Sequence, residues 1–188
     1  MEKGTEKSIK RIVLIGAEST GKTELVERLS KHFETNFVPE YAREYIEKLN
    51  ATYTYEDVEH IARKQIELEE KIYKKANKVL FYDTYLIITK IWFKLVFNKM
   101  PCWINQKIED NNIDLFLLCN NDIQWIPDSV RENGGEMREK LLEIYKEELI
   151  QYKCNFKIVE GVGETRFNNA LKLVNEFLDL KIGNSGKR

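Results

Sequence analysis

Eight consecutive residues, GAESTGKT from Gly16 to Thr23, constrain this 188-residue chain more than any other feature. They match GxxxxGK[ST] in full, and the spacing has a chemical reason. Gly16 and Gly21 let the backbone turn tightly, so that the N–H groups along Glu18, Ser19 and Thr20 point inward at phosphate oxygens. The helix that opens at Lys22 adds its partly positive N-terminus to the same spot. Lys22 can then reach the β- and γ-phosphates, and the Thr23 hydroxyl can ligate Mg²⁺. The motif follows the apolar run 12–15 and opens a stretch with Leu25, Val26, Leu29 and Phe33 on one face. That strand–loop–helix setting is what a phosphate cradle needs, and it predicts a site for a nucleoside triphosphate with Mg²⁺.

The rest of the chain keeps the same rhythm of short apolar runs and long charged amphipathic stretches. Further strands are predicted at 36–38, 79–82, 113–118 and 156–159. Helices are predicted at 40–49, 55–77 with Thr54 as N-cap, 85–97, 136–152 and 167–178. The expectation is an α/β protein: one domain over 1–188, with its core at about 10–180 and frayed ends.

Composition narrows the partners. Basic residues number 30 and acidic ones 31, so no global field draws nucleic acid or an anionic membrane, and neither is expected as a partner. Cys102, Cys119 and Cys154 are far apart and form no CxxC pair, which supports neither a disulfide framework nor a zinc site. The polar start MEKGTEKSIK and the lack of any run near the ~20 apolar residues of a membrane span make a cytoplasmic location the expectation. His32 and His60 lie on predicted helices without nearby metal or carboxylate partners and read as surface or packing residues.

Ligands of open parallel sheets collect at the carboxyl ends of the strands, and acids stand at two of them. Asp83 ends the third predicted strand and can hold Mg²⁺, directly or through water, or else cap the next helix, a role open to Thr84 as well. Glu40, after the second strand, can accept the proton of an acceptor hydroxyl, or complement a helix dipole. After the fourth strand, Trp125 can stack on a ring or pack a lid against the core. Arg131 and Arg138 flank Gly134-Gly135, where they can meet phosphate charge or end helices in solvent. Gly163 and Arg166, after the fifth strand, are placed for the adenine. The aromatic stretch 85–97 reads as core that can also wall an apolar substrate pocket or offer a face for self-association.

Taken together, the phosphate loop, PEYAREY with Glu40, Tyr41 and Arg43, FYDT with Asp83, and NNDIQWIPDSVR with Trp125, Asp128 and Arg131 resemble the ribosylnicotinamide kinase domain of NadR-type proteins. The resemblance runs over about 10–180. It implies a three-layer P-loop kinase fold with parallel strands in order 2-3-1-4-5 and helices on both faces. It also implies transfer of the ATP γ-phosphate to the ribose 5′-hydroxyl of nicotinamide riboside. Lys22, Glu40, Asp83 and Arg131 would be catalytic, and Glu40, Tyr41, Arg43, Asp83, Trp125 and Asp128 would hold the nucleoside-like substrate. The stretch around Glu40 is similar to deoxynucleoside kinases too, where the matching Glu is the general base. The DNA-binding and adenylyltransferase segments of longer NadR proteins are expected to play no part here. Tyr85 stands where the family commonly has a second acid, which leaves another nucleoside open as acceptor. A regulatory ATPase without acceptor is the other alternative. A GTPase is disfavoured, because Asn98-Lys99-Met100-Pro101 fails the last position of NKxD.

Overall fold

The computed structural model describes residues 9–49, 51–110, 112–127 and 133–185. Its centre is β1 (Lys10–Ile15), which sends Ile12 and Leu14 to one face of the sheet and Val13 and Ile15 to the other. A strand covered on both faces has no reason to alternate with polar residues, hence the unbroken apolar run. β1 pairs in parallel with β3 (Val79–Asp83) on one side and with β4 (Leu115–Cys119) on the other. β2 (Phe37–Val38) and β5 (Phe156–Val159) complete a parallel five-stranded sheet in the order β2-β3-β1-β4-β5. The expected strand order and class are therefore observed.

One face is covered by α1 (Lys22–His32) and α7 (Gly163–Ser185), through Leu25, Val26, Leu29, Ala170 and Val174. The other carries α3 (Tyr55–Tyr73), α4 (Leu86–Trp92), α5 (Cys102–Glu109) and α6 (Glu136–Gln151), through Val58, Ile87, Ile104, Leu141 and Tyr145. The short α2 (Tyr41–Leu49) leans on α3 and has no fully buried residue. No helix among the described residues is long and apolar enough to cross a membrane.

Three local expectations are corrected. The stretch 85–97 is not one helix: α4 gives way to a π-helical turn at Phe93–Phe97. Phe93 and Phe97 both pack on Tyr55, at ring distances of 4.8 and 5.6 Å, which the wider turn permits. α5 follows a break at Pro101 and went unread because it is short, a single apolar face of Ile104 and Ile108. The cap of α4 is neither Asp83 nor Thr84 but Tyr85, whose extended backbone precedes the helix without a side-chain bond. At the other extreme, Thr54 caps α3 as expected, in a reciprocal capping box with Asp57.

Candidate active site

The phosphate loop joins β1 to α1 at the carboxyl edge of the sheet. Gly16 adopts φ +153, and a Cβ there would meet the Cys119 carbonyl oxygen at 2.8 Å, so no larger residue fits beside β4. Gly21 precedes α1 in the left-handed region at φ 72. The Thr20 hydroxyl, which is buried, donates to the Ala17 carbonyl at 2.8 Å and closes the loop on itself. Lys22 Nζ lies inside that turn and donates to the Gly16 and Ala17 carbonyls at 3.0 and 2.8 Å.

Asp83, at the end of β3, is 1% exposed. Its Oδ2 accepts the Thr23 hydroxyl proton at 2.6 Å, while its Oδ1 is buried with no hydrogen-bond partner. Burial pushes the carboxyl up from its ordinary range, against the pull of Lys22, the Thr23 bond and Arg43. An unpaired carboxylate oxygen beside a Thr hydroxyl fits Mg²⁺, which takes one or two protein oxygens and completes its shell with phosphates and water. No cluster of three or more His, Cys, Asp or Glu residues able to hold a metal occurs among the described residues.

Glu40 stands between β2 and α2. Gln65 of α3 fixes that junction from both sides: its amide donates to the Pro39 carbonyl at 3.2 Å, and its Oε1 accepts the Tyr41 N–H at 2.9 Å. The Glu40 carboxyl is raised to about 7, first by burial, with Lys22 lowering it and Asp83 raising it further. Those two causes place Glu40 in the same electrostatic neighbourhood as Lys22 and Asp83.

A cleft of about 820 Å³ runs from the loop (Gly16, Glu18 to Thr23) past Glu40 and Arg43. It ends against an apolar wall of Tyr53, Ile88, Ile91, Trp92, Leu95 and Val96. Tyr53 and Trp92 meet edge to face at 4.9 Å. The aromatic stretch thus does wall a pocket. Leu141 and Tyr145 of α6 also line the cleft, as do Ile46 and Glu47 of α2. These were not read from the sequence. The face of α6 shared by Arg138, Leu141, Tyr145 and Glu148 was the signal that could have pointed to them.

Other residues expected in the site lie elsewhere. Tyr41 does not line the cleft; it clusters with Tyr45 and His60, at ring distances of 6.1 and 6.2 Å, because its backbone is turned by the Gln65 bond. Trp125 is also outside the lining and lies against Gly134, with its Nε1 buried and unpaired. Arg138 neither ends in solvent nor lines the cleft: it is buried and donates to the Ile123 carbonyl at 3.0 Å and the Ser19 carbonyl at 3.5 Å. It thereby ties the segment after β4 to the phosphate loop. Glu18 joins that tie by accepting the backbone and side-chain N–H of Asn133 at 3.0 and 2.9 Å. Arg166 is 3% exposed and spends its guanidinium on the Gly161, Thr20 and Asn120 carbonyls at 2.7, 2.9 and 2.9 Å. It is a brace between β4, β5 and the loop. Gly163, at φ +55, has open space around it at the start of α7. Asp128 and Arg131 lie outside the described residues. Tyr85 is turned into the core, where its ring meets Phe116 at 5.7 Å, and puts nothing into the cleft.

Known proteins share this architecture. The trifunctional NAD biosynthesis/regulator protein NadR of Escherichia coli (strain K12) is 27% identical over 179 residues, 90% of this chain and 43% of that protein. Its counterpart in Salmonella typhimurium (strain LT2) aligns to the same extent, so the chain spans less than half the length of the curated relatives it matches. A crystal structure of NadR protein in complex with NAD and AMP-PNP superposes with a TM-score of 0.71 at 26% identity, over 90% of this chain and 49% of the other. Thymidylate kinase from Ehrlichia chaffeensis shares the fold, with a TM-score of 0.62 at 13% identity over 88% of this chain and 97% of its own. Residues 11–166, from β1 through the phosphate loop to the Arg166 brace, match the AAA domain family, and the chain belongs to it.

Proposed function

We propose that the chain is an ATP-dependent kinase that transfers the γ-phosphate to the ribose 5′-hydroxyl of nicotinamide riboside, giving nicotinamide mononucleotide. The observation that carries this reading is the single cleft in which a phosphate loop, the partly buried Glu40 carboxyl near 7 and an apolar aromatic wall follow one another. A hydrolase needs the loop and a group to position water, but no apolar aromatic wall. A carboxyl near neutrality, set between the phosphates and an apolar pocket, has the proton affinity required of a base for an acceptor hydroxyl. The solved NadR complex with AMP-PNP supports ATP as donor, and a NadR complex with NR supports the acceptor.

Bound Mg²⁺ would neutralise phosphate charge, and Thr23 and Asp83 are the groups to hold it. Lys22 draws on the β- and γ-phosphates, and Arg131 is assigned to the transferred group. Glu40 takes the acceptor proton and Arg43 holds its side of the sugar. The acceptor end favours a cationic ring. Tyr53 and Trp92 put aromatic rings into the lining at that end, the kind of side chain that attracts a cation.

The test is ADP release with Mg·ATP against nicotinamide riboside, its neutral dihydro form, the common nucleosides and deoxynucleosides, and a blank. Stimulation by nicotinamide riboside well above the neutral compounds is expected. Stimulation by a neutral nucleoside instead would replace the acceptor. ADP release indifferent to every acceptor would replace the kinase by an ATPase.

Asp83→Asn carries a separate expectation. It should raise the Mg²⁺ concentration for half-maximal turnover several-fold, with the melting temperature held, in a Mg²⁺ titration at saturating ATP. An unchanged Mg²⁺ requirement would remove Asp83 from the metal.

A further inference from the structure

Tyr145 is a polar side chain that the roles assigned above leave unused. It is 5% exposed, yet its hydroxyl makes no hydrogen bond among the described residues, and the residue lines the cleft. The ring is held in the core while the residue lines the cleft, so a hydroxyl without a protein partner is free to meet a ligand there. Its position is well held. Leu141, one turn earlier on α6, lines the same wall. Glu148, one turn later, is ion-paired to the buried Lys90 of α4 and accepts from Lys94 at 3.0 Å.

The surroundings specify what can bind there. Burial, then the charges of Glu18 and Glu40, hold the proton on the Tyr145 oxygen well above neutral pH. The hydroxyl is therefore a neutral group with a proton to donate, in a cleft that Glu18 and Glu40 also line. A phosphate or carboxylate group at this point would be repelled by Glu18 and Glu40. An ammonium group would satisfy the carboxylates and leave the tyrosine without an acceptor. An alcohol does both, since it accepts from the tyrosine and donates to a carboxylate.

We propose that Tyr145 is an acceptor-binding residue whose hydroxyl hydrogen-bonds a secondary hydroxyl of the acceptor's sugar, beside the carboxylates of Glu18 and Glu40. The inference rests on the kinase reading and deepens it: the site takes a ribonucleoside and discriminates against the deoxy sugar that lacks this hydroxyl. Tyr145 is thus a specificity residue on α6.

The experiment compares the wild-type chain with Tyr145→Phe, which keeps the ring and its packing, using a ribonucleoside acceptor and its 2′-deoxy and 3′-deoxy counterparts. With the full acceptor, Tyr145→Phe should raise the acceptor KM about 3–10-fold, the worth of one hydrogen bond, with kcat and the KM for ATP unchanged. With one of the two deoxy acceptors, wild type should already show that loss and Tyr145→Phe should add nothing. An unchanged acceptor KM, or an equal further loss with both deoxy acceptors, would overturn the assignment while leaving the kinase intact. A wild-type chain that no acceptor stimulates would overturn the kinase reading itself, and the inference with it.

Discussion

Lys22→Ala should abolish phosphoryl transfer and leave the fold standing. The ammonium rests on the Gly16 and Ala17 carbonyls, which a phosphate entering the loop competes to replace. No other described residue is placed to touch the β- and γ-phosphates together. A cation at the transferred group acts on a scale of about 10³-fold or more, so turnover should fall below detection in a coupled ADP assay. Gly16 and Ala17 are buried, so the two carbonyls left without their donor cost some stability, and the melting temperature should fall modestly while the protein stays folded. Weak Mg·ATP binding should persist in calorimetry, because the backbone cradle and the α1 N-terminus remain. Wild-type rates in this variant would refute the phosphate-loop assignment.

Glu40→Gln is the second large effect, and it has a pH signature. A base works only when deprotonated, and the Glu40 carboxyl is raised to about 7. In wild type, kcat/KM should therefore fall as pH drops through about 7. In Glu40→Gln, kcat should be lower by about 10²–10⁴-fold and that limb should vanish, with ATP affinity nearly intact. A collapse of ATP binding at unchanged kcat would show that Glu40 serves the nucleotide instead. Stability should move the other way. The folded state holds this proton more tightly than the unfolded chain, where the ordinary value is 4.5, so the carboxyl costs stability as pH rises from about 4.5 to 7. Glu40→Gln should thus melt higher than wild type at pH 8, and the difference should disappear in acid.

Where the chemistry is local, the sequence announces it. The apolar run of β1, the eight residues of the phosphate loop and the Asp that closes β3 can each be read within a few positions, and the structure brings Thr23 and Asp83 within 2.6 Å. Strand order followed from family resemblance. What stayed illegible depends on contacts across the fold. Gln65 looks like one more polar residue on α3, and only the return of β2 beside it makes it the clamp of the Glu40 junction. Arg166 reads as a ligand for the nucleotide until the phosphate loop and the ends of β4 and β5 each present a carbonyl to it. Tyr41 carries the family pattern, yet the direction of its ring is set by α3 and not by the motif.

The helix α6 runs along the cleft as a beam. Arg138 near its start meets the phosphate loop, Tyr145 lines the cleft, and Glu148 is clamped to Lys90 and Lys94 on the helix that carries part of the apolar wall and the turn after it. A rigid element that touches both ends cannot shift at one without being felt at the other. Occupation by the nucleotide should then change the affinity for the acceptor, and thermodynamic linkage obliges the acceptor to change the affinity for the nucleotide by the same factor.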